Sequence, residues 1–416
     1  MSQATPEEIA ALDGVVPARA ATPTSIDELR ELVRATASAG EALVAIGRGH
    51  HLGLGEAPAR CDLLLRLSGL AQIRDHHAAD MTITVEAGCT LAEVDAVLAR
   101  EGQWLGIDCP APHDTTIGGF LATNLSGPLR ASHGTARDVL LGLRWVSPTG
   151  ELLSAGGKVV KNVAGYDLHK AHVGALGTLG IIVEATFKVR PRPPHERALL
   201  IACGDPRHAI ATALDVRDAV EPAWLEAASA GVAGVSDSAI AVGWLGIVPE
   251  LDDAERRIRA QLGARTDANT SVVRSLADSD AAALRQRLAD SAVAPAAAVL
   301  RVATLPDALG DALAKLASHP GGNDLRWAAH AANGVAHVVM DDATEVVPLV
   351  AALRPGLERD GGALVVTRAP AGVKHALASH GGVFGDPGEG RALMRRLKDA
   401  FDPGRTLAPG RYVAGI

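Results

Sequence analysis

Residues 47–55 read GRGHHLGLG, four glycines around two adjacent histidines, directly after the apolar stretch ALVAI at 42–46. Glycine lets backbone N–H groups approach an anion with no side chain in the way, and a strand running into such a loop is a common phosphate receiver. The imidazoles of His50 and His51 add hydrogen-bonding capacity at the same spot. Two familiar phosphate motifs fail on spacing. A dinucleotide fingerprint needs G-x-G-x-x-G and then a helix; here the third glycine, Gly53, comes one residue late and EAPARC leaves no room for a helix before the next strand. A P-loop needs Gly-Lys-Ser/Thr, which this loop lacks. A second glycine-rich stretch, CPAPHDTTIGGFLATNLSGPLRASHGTARDVLLGLRWVSPTGELL at 109–153, supplies a partner. Two such segments can present backbone donors to one pyrophosphate, and TIGG at 116–119 is expected to open a helix whose positive dipole end adds to the attraction.

The elements that must position these loops follow from periodicity and capping signals. TPTSIDELRELVRATASAG (22–40) has Ser25 and Glu28 at capping-box spacing and closes on Gly40, so it reads as a helix. Strands follow at 42–46 and at DLLLRL (62–67), then a hairpin at 72–88, and a helix at 90–102 in which Thr90 and Glu93 repeat the capping spacing. His76 and His77 fall on the charged hairpin and read as solvated. From 139 to 189 the pattern is mostly strands, with a helical insert near 160–175, and RPRPP (190–194) marks a domain boundary. Beyond it two β-α-β-β-α-β runs, 198–276 and 297–368, flank a connecting helix at 278–290. A helix at 390–401 and the turn-rich DPGRTLAPGR (402–411) close the chain. The class is α+β.

Composition narrows the function classes. A net charge of −8 excludes a broad basic surface for nucleic acid. The acidic, polar start and the absence of a bilayer-length apolar run predict a cytoplasmic protein with no transmembrane segment. Cys61, Cys89, Cys109 and Cys203 are far apart, so no metal or iron–sulfur site is expected, and electron transfer through iron and sulfur would need another subunit.

The order Pro110, TIGG, ATN (122–124), Gly127 and GTARD (134–138), with VKNVAGYDLHKAHVGALGTLGIIVEATFKVRP at 160–191, resembles the FAD-binding, PCMH-type domain of the vanillyl-alcohol oxidase and p-cresol methylhydroxylase flavoproteins. The downstream stretch is similar to the glycolate oxidase flavin subunits within that family. The resemblance covers residues 20–192 closely, and LKDAFDPGRTLAPGR resembles the family's C-terminal return. It implies an N-terminal extension (1–19), a two-subdomain PCMH-type FAD-binding domain (20–192), a substrate or cap domain of two ferredoxin-like βαββαβ runs (195–380), and a return to the FAD domain (385–416). The cofactor it implies is FAD, held by Gly47, Arg48, Gly49, His50, His51, Pro110, Thr116, Gly118, Gly119, Thr123, Asn124, Gly127, Gly134, Gly177, Gly180 and Ile182. Gly47, Gly49 and His50 match the G-x-G-H pattern of covalent flavoproteins, so His50 either bonds the flavin or stands beside it as a hydrogen-bonding neighbour. His51 reads as a phosphate donor. Lys161, Asn162, Tyr166 and Asp167 of KNVAGYD either line the flavin or cap and pack a turn, and Arg130 and Arg137 are phosphate partners or ion-pair formers.

The resemblance implies an FAD-dependent oxidoreductase of 2-hydroxy acids. Between 195 and 385 the histidines are scattered, at 195, 208, 319, 330, 337, 375 and 380, with no clustered base and cation, so no catalytic residue is assigned. That points to the second, non-catalytic FAD-binding chain of bacterial glycolate oxidase, working with a catalytic FAD subunit and an iron–sulfur subunit, and reaching the inner membrane only through them. The alternatives are an autonomous oxidase or dehydrogenase of a hydroxy acid, sugar acid or alcohol, and a scaffold whose FAD is structural. Where relatives end NPG this chain has APG, so Ala408 offers no side-chain amide.

Overall fold

The computed structural model of the chain describes residues 2–158, 165–263, 270–319 and 325–416, so Lys161 and Asn162 lie outside the described residues. The backbone clusters into two compact units, one of Met1–Leu125, Thr135–Arg192 and Lys374–Ile416, the other of Ser126–Gly134 and Pro193–Val373. Among the described residues no helix is long and apolar enough to cross a membrane.

In the first unit the Ser25 hydroxyl accepts from Glu28 N at 3.2 Å and starts the helix Ile26–Ser38, whose Leu29 and Val33 are buried at helical spacing. The strands β1 (Arg19–Ala21), β2 (Leu43–Ile46) and β3 (Leu63–Arg66) form a parallel sheet in the order β1-β3-β2. Next come β4 (Ile73–His77), β5 (Thr82–Glu86), β6 (Gln103–Trp104), β7 (Leu140–Val146), β8 (Leu152–Gly156), β9 (Ile181–Lys188) and β10 (Arg190–Pro191). They give an antiparallel sheet, β4-β5-β9-β7-β8, and a short β6–β10 ribbon. Between β5 and β6 the helix Leu91–Ala99 begins with the full reciprocal box, Glu93 N to Thr90 Oγ1 at 3.1 Å and Thr90 N to Glu93 Oε2 at 2.8 Å. One core joins Leu63, Leu65, Val85, Phe120 and Phe187 across both sheets.

Two local expectations change. Of the helical insert near 160–175, the described residues hold only a 3-10 turn at Leu168–Ala171. His76 is not simply solvated, because its Nε2 meets Gln103 Oε1 at 2.9 Å; His77 is exposed and pairs with Asp75 at 2.8 Å.

The C-terminal helix Gly390–Phe401 carries one fully buried side chain, and it is a lysine. Lys398 Nζ donates to Thr178 O (2.7 Å), Leu407 O (2.8 Å) and Asp402 Oδ2 (2.8 Å), while Asp402 accepts from Thr406 N and Leu407 N. Both ions are fully hydrogen-bonded, which makes a buried pair tolerable. The segment after it lies along β2, with Leu43 N donating to Thr406 O and Ala408 N to Leu43 O, each at 2.8 Å.

The second unit is one antiparallel sheet of β11 (His195–Gly204), β12 (Trp224–Ala228), β13 (Ser238–Gly246), β14 (Ser271–Ala277), β15 (Ala298–Ala303), β16 (Arg326–His330), β17 (Val335–Met340) and β18 (Ala363–Arg368). Its order, β14-β11-β13-β12-β16-β17-β15-β18, places each run's strands as fourth, first, third, second and joins the two second strands. The helices Pro206–Val220 and Val248–Gly263 belong to one run, Leu309–Ser318 and Val346–Arg359 to the other, and Asp278–Asp290 connects them. This is the ferredoxin-like pair expected. Gly243 is required opposite Trp224, because a Cβ there would lie 1.9 Å from the indole.

At the β12–β16 seam Glu226 and His330 stand opposite in register, and His330 Nδ1 donates to Glu226 Oε1 at 2.7 Å with both side chains buried. The ring of His337, on β17, lies edge-on 5.7 Å from that of His330. Two of the histidines that look scattered along the chain, His330 and His337, are thus gathered with a carboxylate. The register brings together residues 104 positions apart, a distance no local pattern reports.

Replacing Lys398 by Met leaves Asp402 as an uncompensated buried charge. Breaking such a pair costs about 3–5 kcal/mol, expected as a drop in the urea midpoint of the first unit with the second unit's transition unmoved.

Candidate functional site

The loop leaves β2 against the start of the helix Ile117–Thr123. Only glycine fits at 47: a Cβ there would sit 2.1 Å from Thr116 Oγ1 and 2.8 Å from its Cγ2. Gly49 turns the loop with φ +81°, a left-handed conformation. An open cleft results. Residues 45–52 form one wall, Asp114, Thr116, Gly119, Ala122 and Thr123 another, and Leu176 and Arg411 complete it. Of the residues expected at the cofactor, Gly47, Arg48, Gly49, His50, His51, Thr116, Gly119 and Thr123 therefore come together.

The two histidines differ in environment. His50 is exposed on the cleft wall, its ring 4.9 Å from that of His51 and edge-on to it. His51 Nε2 lies 2.7 Å from Thr115 Oγ1, and that hydroxyl donates to Pro110 O at 2.8 Å. Since the threonine proton goes to Pro110, His51 must donate from Nε2, which leaves Nδ1 an acceptor in the neutral ring. Burial, with His50 adding to it, pulls this imidazole down to about 3. His51 is thus a neutral loop brace, not the phosphate donor expected, and Pro110 acts through it. Arg48 reaches His113 O at 3.1 Å and Glu93 at 3.5 Å, tying the loop to the 90–113 segment.

The expectation that TIGG aims free N–H groups at an anion needs correction. Ile117 N donates to Cys89 O and Gly118 N to Ala87 O, both at 2.8 Å, and Gly119 N donates to Thr116 Oγ1 at 3.2 Å. All three early donors are already satisfied by the protein. Gly118 packs on Ala87 away from the cleft, where a Cβ would meet that methyl at 3.2 Å. Asn124 ends the helix in a left-handed conformation, φ 52° and ψ 33°, which explains an asparagine there. Gly177 is a positive-φ turn, Gly180 packs on Trp145 and His172, and Ile182 is buried in β9. Gly127 and Gly134 fall in 126–134, which clusters with the second unit. Tyr166 is exposed, and Asp167 pairs with Lys170 at 3.2 Å. Asp138 caps Thr135 rather than pairing with a nearby arginine.

The cation of the site was missed in sequence. Arg411 is 4 % exposed, lines the cleft, and donates from Nη2 to Leu52 O (2.7 Å) and Leu54 O (2.6 Å). Its Nε has no hydrogen-bond partner among the described residues. Burial pulls its guanidinium down to about 10, still a cation at neutral pH. Behind the loop, Lys374 Nζ donates to Gly53 O (2.6 Å), Gly55 O (3.0 Å) and Asp13 Oδ2 (2.8 Å). The position of Arg411 directly after the APG turn was the one available signal. A phosphate-bearing group fits this chemistry: walls stripped of side chains at Gly47, Gly49 and Gly119, and a buried guanidinium with unspent donor capacity.

Comparison with known proteins agrees. Residues 17–156 match the model of the FAD binding domain. The chain is 36% identical over 186 residues to a D-2-hydroxyglutarate dehydrogenase of Xanthomonas citri pv. viticola, covering 45% of this chain and 39% of that one. It is 41% identical over 124 residues to the glycolate oxidase subunit GlcE of Escherichia coli, covering 29% of this chain and 35% of that one. The chain thus spans less than half the length of these curated relatives. In three dimensions it resembles an alkyldihydroxyacetonephosphate synthase, with TM-score 0.66 and 18% identity over 94% of this chain and 76% of that one, a likeness of fold.

Two measurements test the loop. Gly47→Ala should lower both the melting point and flavin retention, with an overpacking cost of about 1–3 kcal/mol; adding Thr116→Ala removes Oγ1 and Cγ2 and should recover part of the loss. For His51, the folded group titrates near 3 and the unfolded one near 6.5, so between these values only the unfolded chain carries the proton. Stability therefore falls as pH drops from 6.5 toward 3, and urea unfolding at pH 7 and 4.5 should show a smaller difference in His51→Gln than in the wild type. With the loop, the buried arginine and the match over 17–156 in agreement, that part of the chain is an FAD binding domain and the cofactor is FAD.

Proposed function

We propose that the chain is an FAD-carrying subunit of a 2-hydroxy-acid oxidoreductase of the glycolate oxidase type, working beside a catalytic flavin subunit and an iron–sulfur subunit. The match to the glycolate oxidase subunit carries this reading. Cys61, Cys89, Cys109 and Cys203 are free and buried, and this reading places the iron–sulfur centre on a partner subunit. When bound, FAD supplies a two-electron acceptor for oxidation of the alcohol carbon. The chain's own residues hold it: the Gly47–Gly49 wall gives close approach, Arg411 offsets negative charge, and His51 with Arg48 keeps the loop in place.

A second reading, that the chain oxidises its substrate unaided, is favoured by the Glu226–His330 pair, which orients an imidazole as a base. The two separate on purification of the chain alone and with the products of neighbouring genes, followed by an absorbance spectrum and dye reduction with glycolate and D-lactate. A yellow chain that turns over only with its partners is expected. Steady turnover by the isolated chain, unchanged when partners are added, would overturn the subunit reading.

A further inference from the structure

The helix Gly390–Phe401 is fastened on one side and uncovered on the other. Lys398, its one fully buried side chain, ties it to Thr178 O, Leu407 O and Asp402. Met394 and Phe401 are half-buried, and the Phe401 ring lies 5.8 Å from that of His172 and edge-on to it. Away from that anchor Leu393, Arg396, Leu397 and Ala400 are all exposed, the two leucines by 60% and 38%. Their spacing is i, i+3, i+4, i+7, so the four share one face. That is also the spacing by which an amphipathic helix anchors in an apolar groove. A lone exposed leucine is ordinary, but two in line on a helix that buries a lysine are not explained by this chain's own packing.

Charge and size select what covers the face. Arg391 pairs with Asp386 at 2.8 Å and Asp399 pairs with Arg405, whereas Arg396, between the leucines, has no ion pair or hydrogen bond among the described residues. A second copy of the chain, meeting this short stripe across a two-fold axis, would bring Arg396 against its own counterpart, a like-charge contact. A bilayer would receive two leucines, fewer buried carbons than a myristoyl chain, which by itself gives only marginal, reversible membrane binding. A groove on another protein suffers neither objection. The leucines fill it, the small Ala400 allows close approach, and a carboxylate at the rim meets Arg396. Because Lys398 fixes the helix before a partner arrives, little of the binding free energy is lost to ordering it.

We propose that Leu393, Arg396, Leu397 and Ala400 form a docking face for a partner subunit that presents an apolar groove with a carboxylate at its rim. That the partner belongs to a glycolate oxidase-type assembly rests on the proposed function; the face itself is defined by the helix.

The test is assembly of the full-length, flavin-loaded chain with the purified products of the neighbouring flavin-subunit and iron–sulfur-subunit genes, with the dissociation constant read by surface binding and the stoichiometry by light scattering. Leu393→Gln combined with Leu397→Gln should weaken assembly at least tenfold while flavin content and melting point stay at the wild-type level. Arg396→Glu should do the same, with a loss that shrinks as salt rises, and it serves alone if the double variant does not fold; Arg395→Glu, on another side of the helix, should leave the affinity unchanged. Assembly of the wild type and the folded variants with equal affinity, or an equal loss in Arg395→Glu, overturns the docking face and leaves the subunit reading standing. Assembly with none of these products defeats the subunit reading and this partner with it. Leucine-dependent dimerisation of the chain alone, or leucine-dependent binding to phosphatidylcholine–phosphatidylglycerol vesicles, overturns the proposal in favour of a second copy or a membrane surface.

Discussion

The shape of the cofactor loop rests on two buried cations and the four consecutive carbonyls they capture. Arg411 takes the oxygens of Leu52 and Leu54, and Lys374 takes those of Gly53 and Gly55. A buried charge is expensive unless dipoles or counter-charge surround it. Here the carbonyls supply the dipoles, and Asp13, on a third part of the chain, supplies the counter-charge to Lys374. Burial lowers the proton affinity of both cations, so each needs the loop as much as the loop needs it. Glycine alone gives this segment freedom; the cations remove the freedom again and leave a defined wall.

The rest of the first unit follows from that constraint. To bring Arg411 under the loop, the chain must return along β2, and the Lys398–Asp402 pair pins the return by binding Thr178 and Leu407 carbonyls at once. With the loop wall set, the opposite wall can be built from a helix whose own early N–H groups are satisfied by Cys89, Ala87 and Thr116. The cleft therefore presents a buried guanidinium and bare backbone, not a helix terminus. The second unit handles its polar groups differently. Trp224 and Arg285 both donate to Glu196, closing one buried polar set, whereas Glu226, His330 and His337 keep atoms in reserve.

Local chemistry was legible in the sequence and long-range chemistry was not. Thr90 with Glu93, Ser25, the connecting helix at 278–290 and the last helix at 390–401 were all readable, because caps and periodicity act within a few residues. The two β-α-β-β-α-β runs were readable for the same reason. Lys374, Arg411 and Asp13 left no comparable trace: their partners lie over three hundred positions away, and a lone basic residue in a turn-rich tail looks like any solvated one. Glu226 and His330 were hidden in the same way by strand register. His51 was visible, but its role inverted, since only burial and the Thr115–Pro110 chain reveal a neutral ring. Ala408 shows the opposite case. The missing side-chain amide is plain in the sequence, and the structure adds that this residue holds φ at +43°, a conformation in which asparagine is better tolerated than alanine.

The discontinuity of the first unit has a consequence for the order of events at the ribosome. Its third piece, Lys374–Ile416, emerges only after the whole of Pro193–Val373 has been made. At about 5–20 residues per second, that intervening stretch of about 180 residues takes roughly 10–35 s to synthesise. During that interval the second unit's strands appear one after another and are complete by its end, while β2 has no return segment beside it and Asp13 has no lysine. The nascent flavin unit is therefore the last part to close although its strands are the first to appear.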